Sequence, residues 1–217
     1  MELDGPPPDT GLKCEQTPER SYLFEYRRQL RGLLALIRAI VRRTAHSDQS
    51  AEEYAALLEG RVGALARVQE MLMRVPLGGA DLFEVVSAEF LAQAVPENRV
   101  VVSGDFTPLS SKVAASMALA LHELTTNAIR FGALSHADGR INVSWWQDES
   151  DGYTRFQWRE AGVPMVLTAP RTNGFGMELL EKTLPYELGA RTGVVFAPGG
   201  LVCEIEFRAQ QARREVP

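Results

Sequence analysis

The segment His122–Ser135, HELTTNAIRFGALS, constrains this chain more than any other. Wound as an α-helix, it places Glu123, Asn127 and Arg130 at i, i+4 and i+7, on one face. Met117, Leu121, Leu124 and Ala128 line much of the other side and can bury it. A stripe of carboxylate, amide and guanidinium on an otherwise buried helix is costly without a polar partner. Solvent on that side of the helix is one such partner. A magnesium–nucleotide is another: the Asn127 amide oxygen suits a metal that takes oxygen ligands and keeps several waters. Glu123 would then orient one of those waters or accept a proton, and Arg130 would meet phosphate.

Length and charge narrow the remaining classes. The chain has 217 residues, room for one or two domains of roughly 100–200 residues each. Lys plus Arg is 23 against 28 for Asp plus Glu, and the net charge of −5 does not suit a general nucleic-acid binder. No apolar run approaches the roughly 20 residues of a membrane span, and Met1–Thr17 does not read as a signal peptide. Cys14 and Cys203 are the two cysteines; Cys203 alternates with Leu201, Ile205 and Phe207 and reads as a core strand residue. A reducing, cytoplasmic compartment fits that usage.

Residues 1–20 read as a flexible leader around Pro6-Pro7-Pro8, with no room for a sensor domain before the next element. Leu23, Tyr26, Leu30, Leu33, Leu34, Ile37, Ile40 and Val41 follow helical spacing over Ser21–Ala45. After a polar turn, His46–Ser50, with Ser50 as N-cap, a second helix runs over Ala51–Arg74. Its stripe is Tyr54, Leu58, Val62, Leu65, Val68 and Leu72. Residues 21–75 thus form an antiparallel hairpin. Its exposed apolar stripe calls for a second copy in a four-helix bundle, or for its own domain. Pro76–Gly79 marks a boundary, and residues 80–208 form a second unit, followed by a polar tail at 209–217.

In that unit Ala80–Ala94 reads as a helix with Leu82, Val85, Val86, Phe90 and Leu91 inward. Arg99–Ser103 is a strand, and Ser110 or Ser111 caps the helix carrying the opening segment. Ile141, Val143 and Trp145 alternate on one strand, and Thr154, Phe156, Trp158 and Glu160 on the next. Glu160 shares the apolar face, so its carboxylate needs a donor. Pro164–Asn173 is polar and aperiodic. Gly174-Phe175-Gly176 then opens a helix through Leu188, and a Gly-x-Gly there lets backbone N–H groups approach phosphate. Arg191–Ala197 and Leu201–Arg208 close the chain as a hairpin around Pro198-Gly199-Gly200.

His122-Glu123 within the opening segment, Trp158-Arg159-Glu160 and Gly174-Phe175-Gly176, in that order, resemble the HWE histidine kinases of the GHKL ATPase superfamily. The resemblance covers about Tyr22–Phe207. It implies an α+β fold: an antiparallel helical hairpin (a dimeric four-helix bundle) followed by a GHKL/Bergerat-type α/β sandwich that binds ATP. It implies catalytic roles for Glu123 and His122. Asn127, as magnesium ligand, would bind ATP with Arg130, Glu160, Gly162, Gly174 and Gly176, Glu160 accepting from the adenine amino group. Pro164–Asn173 resembles the ATP lid. Where the family pattern has a second glycine after Gly162, this chain has Val163.

The hairpin departs from the family. Arg28 stands at the phosphoacceptor His and Gly32 at an Asn, and no histidine occurs before His46. His46 follows Arg28 by 18 residues, about 27 Å along a helix. The expectation is a two-component signalling protein that binds ATP and Mg²⁺. It regulates a receiver-domain partner, a response regulator, without self-phosphorylation on a hairpin His. The alternatives are an active kinase transferring phosphate in trans to a partner His or Ser, and a phosphotransfer-type adaptor. A homodimer through the hairpin, or pairing with a partner histidine kinase, is expected. Arg27, Arg31, Arg38 and Arg42 form one stripe of the first helix, either solvated or set to meet a receiver's acidic pocket.

Overall fold

The computed structural model describes residues 18–44, 50–74, 79–163 and 174–210. The expected leader, the turn holding His46, the Pro76 boundary, the lid-like Pro164–Asn173 and residues 211–217 lie outside the described residues. So does the side chain of Arg28.

Two helices come first, α1 (Pro18–Thr44) and α2 (Ala51–Arg74). Ser50 starts α2 through a reciprocal capping box: the Glu53 N–H donates to Ser50 Oγ at 3.2 Å and the Ser50 N–H to Glu53 Oε2 at 3.0 Å. Ile40 of α1 is fully buried, while Leu30, Leu34 and Val41 remain exposed. Arg27, Arg31, Arg38 and Arg42 are exposed, as their spacing predicts. The hairpin lies against its own chain: Ala64, Leu65 and Val68 of α2 are buried on helix α4 (Ser111–Arg130). The stripe of α2 differs from the expected one by one position. Val62 is 38% exposed and Arg61 only 4%. Arg61, Ala64, Leu65 and Val68 are buried and Leu58 and Leu72 are half-buried on the same side, so a charged residue occupies a core position.

The sheet has the order β2-β4-β5-β7-β6. Strand β2 (Val100–Gly104) pairs parallel with β4 (Arg140–Asp148), and the pairs through β5 (Tyr153–Ala161), β7 (Gly200–Phe207) and β6 (Arg191–Ala197) are antiparallel. Alternate residues face one core: Ile141, Val143 and Trp145; Phe156 and Trp158; Cys203, Ile205 and Phe207. Helix α3 (Leu82–Ala92) packs on this face through Val86 and Phe90, whose ring lies 5.8 Å from that of Trp158. Leu91, expected inward, is 82% exposed because it lies one residue, about 100° of helix, beyond the Phe90 stripe.

Three local differences from the sequence reading have clear causes. Ala80–Asp81 is not helical but a short strand β1, paired with β3 (Pro108–Leu109); the Thr107 N–H donates to Asp81 Oδ1 at 2.8 Å and holds it there. Ser110 occupies the N-cap of α4, yet its buried Oγ has no hydrogen-bond partner among the described residues. The helix after Gly174 is interrupted: α5 (Phe175–Glu178) passes through a π-helical turn, Leu179–Thr183, into α6 (Leu184–Leu188). Pro185 has no N–H for the carbonyl of residue 181, so the regular ladder cannot run through. No helix among the described residues is long and apolar enough to cross a membrane.

Candidate functional site

Helix α4 runs from core to surface along its polar face: Glu123 is buried, Asn127 half-buried and Arg130 exposed. The Glu123 carboxylate has a partner that its spacing did not reveal. Arg61 of α2 donates from Nε to Oε1 at 2.7 Å and from Nη2 to Oε2 at 3.2 Å. Glu123 and Arg61 are 5% and 4% exposed, so the pair is desolvated and bidentate. The same guanidinium lies 3.8 Å from the centroid of the Phe175 ring. Both carboxylate oxygens on which the water-orienting role depends are therefore engaged by a hairpin residue.

The Gly-x-Gly does meet α4. A Cβ at Gly176 would lie 3.0 Å from Glu123 Oε2, 3.1 Å from Glu123 Cβ and 3.3 Å from Asn127 Nδ2. A glycine is what lets the first turn of α5 approach so closely. At Gly174 a Cβ would meet nothing within 4 Å. The Asn127 amide makes no side-chain hydrogen bond among the described residues. Arg130 sits over the Phe131 ring at 5.1 Å, and lines a cleft of about 310 Å³ between α2 and α4 with Glu53, Ala56, Leu57, Gly60, Gln93, His122 and Thr126.

His122 belongs to a second polar cluster on the α2 side. Its Nδ1 is 2.9 Å from Glu89 Oε1, and Glu89 also accepts from Arg67 of α2 and from Gln93 Nε2 at 3.1 Å. Burial alone would raise the Glu89 pKa, but the hydrogen bonds and charges of His122 and Arg67 outweigh it and hold the carboxyl below its ordinary range. An ionised carboxylate only accepts, so Nδ1 of His122 is the donor in its hydrogen bond to Glu89. The Cε1–Nε2 edge faces Gly60, where a Cβ would come within 2.8 Å of both atoms.

Glu160 lies at the end of β5, buried as its alternation predicts. Its donor is within the chain: the Ala133 N–H reaches Oε2 at 2.9 Å. Burial raises the Glu160 pKa, and this hydrogen bond offsets part of the rise. Arg99, just before β2, holds the loop that presents Ala133, donating to the carbonyls of Ala133 at 3.0 Å, Leu134 at 3.3 Å and Gly139 at 2.9 Å. Gly162 has φ +80° and packs on the Asp138 carbonyl, so its glycine is required by backbone and by space. Val163 pairs with Gly199 as an isolated bridge, its N–H donating at 3.0 Å.

These residues fit a magnesium–adenine nucleotide in donor chemistry. Asn127 offers an amide oxygen with no side-chain hydrogen bond among the described residues, Gly176 is buried where α5 meets α4, and Glu160 is a buried acceptor. Arg61, Glu89, Arg99 and Phe175 were missed by spacing arguments. For Arg61 a signal existed: a charge at a core register of an apolar stripe.

A sequence model of the HWE histidine kinase family matches residues 27–106. The blue-light-activated histidine kinase of Brucella ovis is 30% identical over 184 residues, 83% of this chain and 37% of that protein. That of Brucella anthropi matches to the same extent. The chain therefore spans little more than a third of the curated relatives it matches. Among solved structures, a blue-light activated histidine kinase of Erythrobacter litoralis superposes with a TM-score of 0.62 at 21% identity, over 84% of this chain and 59% of that one. The histidine kinase domain of that protein gives 0.57 at 18%, over 82% and 84%. The likeness shows the fold, a helical hairpin followed by an α/β sandwich.

Proposed function

This chain belongs to the HWE histidine kinase family, and from that premise we propose that it binds Mg–ATP and controls a receiver-domain partner. The observation that carries the reading is the meeting of α4 and α5, so close that a Cβ on Gly176 would lie 3.0 Å from Glu123 Oε2 and 3.3 Å from Asn127 Nδ2. Asn127 holds the metal, Gly174 and Gly176 admit phosphate to the backbone, Arg130 supplies countercharge, and Glu160 accepts from the adenine amino group through lone pairs left free by Ala133. The metal, when bound, neutralises phosphate charge. Glu123, with His122 beside it, stands where a proton acceptor or water-orienting group is needed.

The hairpin carries Arg28 where the family has its acceptor, and no histidine precedes His46. Self-phosphorylation on the hairpin is therefore absent. The protein acts in the cytoplasm by holding a response regulator, with Arg27, Arg31, Arg38 and Arg42 facing its acidic pocket. Leu30, Leu34 and Val41 of α1 are exposed and join a second copy, as homodimer, or a partner kinase.

Calorimetry with Mg–ATP tests the first half. Binding is expected in the unaltered chain and lost in Asn127→Ala; no heat and no thermal shift in the unaltered chain would end the reading. Incubation with radiolabelled ATP, with and without receiver domains or partner kinases, tests the second. No acid-labile label is expected on this chain. Label on a partner His or Ser would replace sequestration by transfer in trans.

A further inference from the structure

Arg61 joins three parts of the molecule at one guanidinium: helix α2, Glu123 of α4, and Phe175 at the opening of α5. A competing cation, or a mechanical pull on α2, would separate this pair. Asn127 lies one turn from Glu123 on the same helix, about 5–6 Å between Cβ atoms. A divalent ion on Asn127 would sit beside the Arg61 guanidinium in a desolvated region, where like charges repel strongly.

We infer that Arg61 is an internal competitor for the Glu123 carboxylate, so that hairpin docking and magnesium–nucleotide binding oppose each other. This inference rests on the nucleotide reading given above. With α2 seated, Arg61 takes both Glu123 oxygens, and Gly176 closes over Oε2 at 3.0 Å from its notional Cβ. Glu123 then cannot orient a metal-bound water. When the metal site takes up the carboxylate, the guanidinium gives up its bidentate contact and faces a second positive charge, which is unfavourable. The relief is for α2 to swing off α4, carrying Arg61 to solvent. The Arg67–Glu89–His122 cluster holds the next two turns of α2 and sets how far the release spreads. Because linkage is reciprocal, whatever pulls the hairpin away, such as a docked partner, tightens nucleotide binding by the same factor.

The test uses the full chain and reads amide hydrogen exchange along α2 together with calorimetric affinity. Mg–ATP should accelerate exchange at residues 57–68, whereas ATP in excess EDTA should not. Arg61→Met should exchange fast without nucleotide and bind Mg–ATP about tenfold more tightly, within the usual range for coupled sites. Since Arg61→Met leaves a buried carboxylate unpaired, the neutral double variant Arg61→Met/Glu123→Gln guards against simple unfolding. In it, α2 exchange should no longer respond to Mg–ATP. Mg–ATP binding to the unaltered chain with no change in α2 exchange overturns the competition and leaves the nucleotide reading intact. Failure of both chains to bind removes the nucleotide reading, and the inference with it.

Discussion

Gly60→Ala measures how firmly α2 is seated on α4, because two known terms oppose each other there. Replacing a mid-helix glycine by alanine favours the helix by about 1 kcal/mol. The new methyl, however, would lie 2.8 Å from His122 Cε1 and Nε2, well inside ordinary contact, which begins at 3.4 Å. The ring must retreat by about 0.6 Å, the difference of those two distances. It cannot do so freely, since Nδ1 is held at 2.9 Å by Glu89. Retreat stretches that bond to its limit and forfeits a hydrogen bond to a charged group, worth about 1.5–3 kcal/mol. The clash wins, and Gly60→Ala should be less stable than the unaltered chain. Gly63→Ala on the same helix is the control: its Cβ meets only Arg67 Nη1 at 3.4 Å, so it should gain the full propensity term. Gly32→Ala in α1, with nothing within 4 Å, should gain likewise. The 60 and 63 variants should differ by about 1.5–3 kcal/mol, roughly 3–12 °C in Tm for a chain of this size. Thermal melts followed by circular dichroism read this difference. In a His122→Ala background Gly60→Ala should turn stabilising. Equal stabilisation by Gly60→Ala and Gly63→Ala in the unaltered background would show that α2 does not rest on His122.

The raised pKa of Glu160 means that its folded state binds a proton more tightly than the unfolded chain. Its contribution to stability is thus full below the ordinary carboxylate range and lost as pH rises through the folded value. The Tm of Glu160→Gln relative to the unaltered chain should therefore improve from pH 4 to pH 8, and a pH-independent difference would refute the desolvation argument. Burial pushes the Cys203 thiol up to about 12, so in a Cys14→Ser background iodoacetamide should label Cys203 only as fast as the chain unfolds. Rapid labelling of the folded chain would show that Cys203 of the interior strand β7 does not face the core.

Most of the elements, and the chain order of the site residues, are legible in the sequence. Period-2 alternation in β4, β5 and β7 and helical spacing in α1 and α2 name the buried faces because backbone geometry forces side chains to repeat at those periods. The same logic turned Glu160 inward and aligned Glu123 with Asn127 one turn apart. Where the reading slipped, a single residue of register was at stake: Val62 and Leu91 each lie about 100° from a true core position, an error hydrophobicity cannot correct when both neighbours are apolar or long. Which polar groups meet is settled by the packing of elements distant in sequence. Arg61 and Glu123 are 62 residues apart, Glu160 and Ala133 27, and Arg99 and Gly139 40. No local period relates such pairs, because a buried charge is satisfied by whatever the packed helices and strands bring to it. The hairpin's place followed from the same cause. An apolar stripe states only that something must cover it; α2 lies where Arg61 meets Glu123 of α4 and Arg67 meets Glu89 of α3.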